Sequence, residues 1–182
     1  MKKAFLAIMA TTLVASLGLP ALQAKDLVLE PQKVSVITSP TDNRDVRTLV
    51  YFEMPNQHGG AKLEFDNAFL IFRGKVTDAD FGMIEVFPIT REWGTAGSAS
   101  WSLPWERPGG DFSGDVARAS TTLKSADGED EVRLNVTFIV KAWLDGVLPN
   151  NGIVILGSRA DLDNSSAKFD LKGEGVKLKI VY

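Results

Sequence analysis

The chain contains no cysteine among its 182 residues. No disulfide framework can therefore stabilise it, although many small exported proteins depend on one. Catalysis by a thiol, metal sites built from thiolates and a lipid-modified N-terminal cysteine are excluded as well. The fold has to be held by packing alone.

Histidine is almost as scarce, since His58 is the only one. A site that needs two or more histidine ligands is excluded, and a Ser-His-Asp hydrolase would depend on this single side chain. His58 stands in the polar stretch Asn-Gln-His-Gly-Gly at residues 56–60, a composition typical of a solvated loop.

Long apolar runs are lacking except at the N-terminus. Lys2 and Lys3 precede an apolar stretch over residues 4–19, Pro20 ends it, and Ala24 offers a small residue for cleavage. This order predicts a cleavable signal peptide over residues 1–24. A transmembrane anchor is disfavoured because a spanning helix needs roughly 20 apolar residues. We therefore expect a soluble, secreted and extracellular protein of bacterial type, with the periplasm as the alternative and no membrane span after cleavage.

The remaining residues, 25–182, suit one domain. They carry 18 basic and 23 acidic residues, a net charge of −5. This mild acidity argues against a nucleic-acid partner, which would call for a clustered basic face.

Short β-rich runs separated by turn residues predict an all-β sandwich or barrel. The run at residues 61–73 has apolar residues on both faces, Phe69 and Ile71 on one and Leu70 and Phe72 on the other, so we expect a strand that is buried on both sides or bulged. The predicted strands cover residues 27–29, 34–38, 48–53, 61–73, 83–89, 152–156 and 176–181.

One segment departs from strand alternation. Val136, Ile139, Val140, Trp143 and Leu144 fall at helical spacing. The pattern predicts one short amphipathic helix over residues 136–145, capped by a polar side chain at its start and ended by a glycine.

An aromatic-rich irregular stretch at residues 93–115 holds Trp93, Trp101 and Trp105. Tryptophan in a long loop either anchors the loop to the core or stacks on a sugar ring. Anchoring is favoured for Trp93 and Trp101, whereas for Trp105 the sequence favours neither role. The candidate ligand-binding residues are Trp105, Glu106 and Asp111.

The acidic residues show no catalytic pattern. Several pairs lie in turn-like segments, but none has the spacing of an EF-hand. No nucleophile elbow, phosphate-binding loop or dinucleotide fingerprint is present. We therefore expect a non-enzymatic protein without catalytic residues or cofactor, while a structural calcium ion held by scattered loop carboxylates stays an alternative. The acidic segments are Asp78 with Asp80, residues 129–131, and Asp161 with Asp163.

Several stretches, taken in order, match the pattern of a known family. They are Arg47 with residues 49–55, residues 61–72, residues 86–93 with Ser100 and Trp101, residues 135–143 with residues 150–155, and residues 169–182. Together they resemble the DNRLRE-type domain, which is grouped with carbohydrate-binding module family 96. The likeness covers residues 34–182, although the chain lacks the motif that names the family.

This resemblance implies a jelly-roll-type β-sandwich, a module often attached to extracellular enzymes and surface proteins. It also implies that Trp93, Trp101 and Trp143 are framework residues.

Three functions remain open from the sequence. The leading one is an exported, non-catalytic module that binds a polysaccharide or another cell-surface polymer. The second is a self-associating structural subunit of an extracellular matrix, surface layer or appendage. The third and weaker one is a small polysaccharide-active enzyme that uses acids such as Glu53, Glu85 or Glu106.

Overall fold

The computed structural model describes residues 26–42, 45–55, 64–77, 81–95, 97–116, 118–124, 130–158, 168–171 and 175–182. The predicted signal peptide lies outside the described residues. The described elements are β1 (Leu27–Leu29), β2 (Lys33–Thr38), β3 (Val46–Tyr51), β4 (Asn67–Thr77), β5 (Phe81–Pro88), β6 (Ala119–Lys124), β7 (Asp130–Asn135), α1 (Thr137–Leu144), β8 (Ile153–Ser158), β9 (Lys168–Leu171) and β10 (Lys177–Val181).

The strands form two antiparallel sheets, which we call sheet A and sheet B. Sheet A has the order β1-β10-β4-β7, with β9 also paired to β4, and sheet B has the order β2-β3-β8-β5-β6. If β2 and β9 are set aside and the other eight strands are renumbered 1 to 8 in chain order, sheet A has the order 1-8-3-6 and sheet B has the order 2-7-4-5. This is the strand order of a jelly roll, so the predicted fold class is confirmed.

An inter-sheet core lies between the two sheets. It is built mostly from Val, Ile, Leu and Phe side chains at alternate strand positions. β10 shows the pattern clearly, because Leu178 and Ile180 are buried while Lys177 and Lys179 point outward. The predicted inward and outward faces of this strand are confirmed.

β4 begins later than the predicted strand, and its two faces differ more in burial than the sequence suggested. Ala68, Leu70 and Phe72 are fully buried in the inter-sheet core, while Phe69 and Ile71 are half-buried on the outer face of sheet A. The run that suggested burial on both sides is therefore buried on one side and only partly covered on the other. Part of that cover comes from β7, where the Arg133 guanidinium lies 3.9 Å from the centre of the Phe69 ring.

Periodicity did not predict three of the described strands, β6, β7 and β9. β7 carries a readable alternation, because Val132 and Leu134 are buried and Glu131 and Arg133 are exposed. β6 is rich in Ser and Thr, and β9 is only four residues long, so neither gives a strong local pattern.

The predicted helix is confirmed over Thr137–Leu144. At its start the Asn135 side chain accepts a hydrogen bond from the Thr137 N–H at 3.0 Å. At its end Gly146 has a φ of +69°, and the N–H groups of Gly146 and Val147 donate to the carbonyls of Trp143 and Ala142, which is a Schellman motif. Among the described residues, no helix is long and apolar enough to cross a membrane.

A second apolar group, which we call the outer cluster, lies on the opposite face of sheet B. Leu49 and Val154 neighbour each other in the β3–β8 ladder, and Val154 neighbours Phe87 in the β8–β5 ladder. Trp93 and Trp105 from the irregular segment pack onto these strand residues. We call residues 90–118 the tryptophan loop. This loop covers part of sheet B and thereby gives the sheet apolar contacts on both faces.

Candidate functional site: a charged cleft at the tryptophan loop

Backbone hydrogen bonds join the beginning of the tryptophan loop to a later part of it. The loop leaves β5 and returns beside it, with an isolated bridge between Ile89 and Phe112. The Thr90 N–H donates to the Asp111 carbonyl at 2.9 Å, and the Ser113 N–H donates to the Pro88 carbonyl at 3.3 Å. These bonds bring residues 90–91 close to residues 106–113.

Tryptophan side chains hold the loop from the inside. Trp93 is 2% exposed and its indole N–H donates to the Asn151 carbonyl at 2.8 Å. Trp105 is 7% exposed and its indole N–H donates to the Ser100 carbonyl, also at 2.8 Å. Anchoring is confirmed for Trp93. Trp105 is an anchor as well, and its buried ring offers no face on which a ligand could stack.

Arg47 joins the loop to the sheet from β3. Its Nη1 donates to the Gly109 carbonyl at 2.7 Å, and its Nε and Nη2 donate to the two carboxylate oxygens of Asp45 at 3.1 and 3.0 Å. The guanidinium carbon also lies 4.5 Å from the centre of the Trp101 ring and 5.6 Å from that of Phe112. One side chain thus contacts three points of the loop.

Gly109 lets the loop approach Arg47 this closely. Its φ is +92°, and a Cβ at this position would lie 2.5 Å from Arg47 Nη1 and 3.0 Å from the Trp101 ring. A side chain at residue 109 would therefore be strained and would also push Arg47 off the carbonyl that it binds.

An open cleft of about 590 Å³ lies between β3 and the two ends of the tryptophan loop. Its lining is strongly polar, with three arginines and three carboxylates. We refer to it below as the cleft. Its lining residues are Arg47, Thr90, Arg91, Glu106, Arg107, Pro108, Gly110, Asp111, Phe112, Ser113 and Asp115.

Asp111 organises one wall of the cleft. Its carboxylate accepts hydrogen bonds from the backbone N–H groups of Glu106 at 2.8 Å and Arg107 at 3.0 Å, and it pairs with Arg91 Nε at 2.9 Å. Burial works to raise the pKa of Asp111, but the two backbone bonds and the charges of Arg91 and Arg107 outweigh it, so the pKa lies below its usual value. Arg91 also forms an ion pair with Glu106.

The structure therefore brings two of the three candidate ligand-binding residues together. Glu106 and Asp111 both line the cleft, whereas Trp105 is buried in the outer cluster. The three cleft arginines were not among the candidates, because nothing local marks Arg47, Arg91 or Arg107 as members of one site. The only available signal was that Arg91 and Arg107 stand at the two ends of the Trp-rich segment.

The other titratable residues singled out from the sequence, His58 and the acidic residues, do not add a second site to the described part of the chain. His58, Asp78, Asp80, Glu129, Asp161 and Asp163 lie outside the described residues. Glu53 is exposed just after β3, and Glu85 is half-buried on β5, and neither lines the cleft. Within the described residues, no group of three or more acids or histidines is placed to hold a metal ion.

Comparison with known proteins does not assign this chain to a family. No protein-family model matches it, and a search of curated proteins finds no significant match either. The resemblance to the DNRLRE-type domain therefore stays a prediction.

Proposed function

We propose that the chain is an exported, non-catalytic module that binds a polysaccharide or another cell-surface polymer in the cleft. The observation that carries the proposal is the cleft itself. Its volume of about 590 Å³ falls within the range of ligand sites, and an open cleft admits the interior of a chain as well as its end.

The lining of the cleft suits the hydroxyl, carboxyl and ring-oxygen groups of a glycan. Arginine presents several N–H donors in a fixed planar arrangement, while Glu106 and Asp115 are acceptors. Thr90 and Ser113 add hydroxyl groups, and Phe112 adds an apolar surface. This mixture supports recognition of a polymer that carries many polar groups and some apolar surface, rather than of an apolar small molecule.

The electrostatics of the cleft support binding over catalysis. A general acid for glycoside hydrolysis needs a raised pKa, so that it stays protonated near neutral pH. Asp111 has the opposite shift, and Glu106 pairs with Arg91. Catalysis by a small polysaccharide-active enzyme remains the weaker alternative, and release of reducing ends from a bound glycan would establish it.

The export of the chain is part of the proposal. It is supported by the order of charged, apolar and small residues over residues 1–24. N-terminal sequencing of the protein recovered from the periplasm and the medium tests it, with Lys25 as the expected first residue. A protein that keeps Met1 and stays in the cytoplasm would remove this part of the proposal.

A glycan array probed with the exported protein, followed by calorimetry on each ligand found, tests the binding function. Arg107→Ala removes an exposed cleft arginine and is expected to weaken binding about tenfold or more, because hydrogen bonds to charged groups contribute about 1.5–3 kcal/mol. Arg73→Ala is the matched control, since Arg73 is exposed on β4 in the other sheet.

Two results would contradict the binding function. One is the absence of binding on the array together with no retardation on neutral or acidic polysaccharides in affinity electrophoresis. The other is binding that Arg73→Ala weakens as much as Arg107→Ala, because the ligand would then lie elsewhere on the surface.

A further inference from the structure

Among the described strands, the strands at the ends of the two sheet orders, β1 and β7 in sheet A and β2 and β6 in sheet B, differ in how well they are protected against pairing with another chain. Natural edge strands are usually short, charged or covered. β1 has only three residues and is flanked by the ion pairs Lys179–Asp26 and Lys177–Glu30. β7 carries the exposed charges of Glu131 and Arg133, and β6 offers mainly Ser and Thr side chains. β2 is six residues long and uncharged from Val34 to Thr38.

The single lysine of β2 does not protect its edge. Lys33 Nζ donates to the Gly94 carbonyl at 2.7 Å and lies 5.1 Å from the centre of the Tyr51 ring and 5.9 Å from that of Trp93. Its charge is therefore directed onto the tryptophan loop, on the outer face of sheet B. Val36, in contrast, is 51% exposed although it is a large apolar residue in a strand.

The register with β3 shows which backbone groups of β2 face outward. The Ser39 N–H donates to the Asp45 carbonyl at 3.0 Å, in line with the pairs Ile37–Arg47 and Ser35–Leu49. Because bonding alternates along an antiparallel strand, the N–H and C=O groups of Val34, Val36 and Thr38 point away from β3. Within the part of the chain that the structure describes, no strand pairs with that side of β2.

We propose that this edge of β2 pairs with the β2 edge of a second copy of the chain, antiparallel and centred on Val36. In that register Val36 lies opposite Val36 of the other copy, and Val34 lies opposite Thr38. All outward N–H and C=O groups of these three residues then bond across the interface. The two copies of sheet B become one continuous sheet.

The occupant is a second copy because the edge is complementary to itself. A two-fold axis through Val36 relates the outward residues to one another, and the same patch serves both partners. The side chains of Val34, Val36 and Thr38 are all β-branched and uncharged, so no like charges meet across the axis. Pro31 and Pro40, which lack an N–H, stand on either side of the strand and end the ladder in both directions. This interface is independent of glycan binding in the cleft.

A single-cysteine variant tests the pairing directly. The natural chain has no cysteine, so Val36→Cys carries the only thiol. Opposed residues in a hydrogen-bonded antiparallel pair have Cα atoms about 5.5 Å apart, which lies within the range of a disulfide. Under mild oxidation we expect cross-linked dimer to form at least about tenfold faster than for Val28→Cys, a control whose residue is 48% exposed on the edge strand β1.

The register is tested by mixing two variants. Val34→Cys and Thr38→Cys should cross-link with each other when mixed, whereas neither should cross-link efficiently with itself. Cross-linking of Val36→Cys no faster than that of Val28→Cys would overturn the proposal. Self-linking of Val34→Cys at the rate of the mixture would overturn this register.

Sedimentation equilibrium of the exported protein provides a second measurement. Val36→Lys places two positive charges opposite each other and is expected to raise the dimer dissociation constant at least about tenfold, while Val36→Thr keeps the branched shape and leaves it within about threefold. A protein that stays monomeric at millimolar concentration overturns the proposal. So does a dimer that Val36→Lys leaves intact, because its interface then lies on another surface.

Discussion

The inter-sheet core and the outer cluster lie on the two faces of sheet B, and they are built differently. The inter-sheet core consists mainly of aliphatic side chains, and most of them lie in a strand or on the apolar face of α1. The outer cluster combines strand residues with tryptophans that arrive from an irregular loop.

The two regions also differ in whether their buried indole N–H groups form hydrogen bonds. In the outer cluster the indole N–H groups of Trp93 and Trp105 both donate to backbone carbonyls, and Arg47 binds the Gly109 carbonyl. In the inter-sheet core the indole N–H of Trp143 has no hydrogen-bond partner among the described residues. Apolar burial therefore dominates one region, and directed polar contacts determine the geometry of the other.

This difference bears on function. A core of interchangeable aliphatic residues supports the whole domain but specifies no site. The outer cluster fixes the positions of particular loop residues, and the cleft is formed by that same loop. Changes in the first region should therefore lower the stability of the whole domain, and changes in the second should act mainly on the loop.

The largest effect is expected in the inter-sheet core. Leu70→Ala removes a fully buried side chain from β4, which has paired neighbours on both sides. It should lower the free energy of unfolding by about 2–5 kcal/mol, because it loses buried apolar surface and leaves a cavity. Urea denaturation followed by circular dichroism measures this change.

The matched control makes the same substitution in the tryptophan loop. Leu103 is 67% exposed, so Leu103→Ala should change the free energy of unfolding by no more than about 0.5 kcal/mol. Similar losses for Leu70→Ala and Leu103→Ala would mean that the two positions do not differ in burial as described.

The same contrast explains what could be predicted from the sequence. Alternation is a local signal, and it located β10, where Leu178 and Ile180 are buried while Lys177 and Lys179 point outward. β8 was located as a short apolar run, because its residues face both the inter-sheet core and the outer cluster. Alternation failed for β4, where Phe69 and Ile71 look as apolar as Leu70 and Phe72 yet are only half-buried. Which face of a strand is inward depends on its neighbours across the sheet, and the strand's own residues do not contain that information.

The cleft could be predicted only in part. Glu106 and Asp111 stand close together in the sequence, in a segment already marked by its tryptophans. Arg47 lies 62 residues before its partner Gly109, and only the folded jelly roll brings β3 to the loop. The burial of Trp105 likewise depends on its contact with sheet B, which no local pattern shows.

An intermediate effect is expected at the contact between the sheet and the loop. Arg47→Ala leaves the Gly109 carbonyl and the Asp45 carboxylate without their partner and uncovers one face of Trp101. We expect a loss of about 1–3 kcal/mol in the free energy of unfolding, since unpaired, partly buried polar groups are costly. Tryptophan fluorescence should change at the same time, because Trp101 loses its covering charge.

Arg133→Ala serves as the matched control for this contact. Arg133 also lies over an aromatic ring, that of Phe69, but it is exposed on the outer face of sheet A. Its removal should cost only about 0.5–1 kcal/mol and leave the tryptophan spectrum unchanged. A spectrum that Arg47→Ala leaves unaltered would show that Arg47 does not hold the loop.

The smallest effect is expected at Asp111, and it should depend on pH. The folded state lowers the pKa of Asp111, so the unfolded chain binds its proton more readily. The stabilisation from the ionised carboxylate is therefore complete above the unfolded pKa of about 3.9 and is lost as the pH falls through the lower pKa of the folded state. Asp111→Asn should be less stable than the natural protein at pH 7, and the gap should narrow below about pH 4. Urea denaturation of both proteins between about pH 7 and pH 2.5 measures the gap. If the difference in stability between the two proteins stays constant down to the lowest pH, the charge of Asp111 does not stabilise this wall of the cleft. Only the shape of its side chain would then matter.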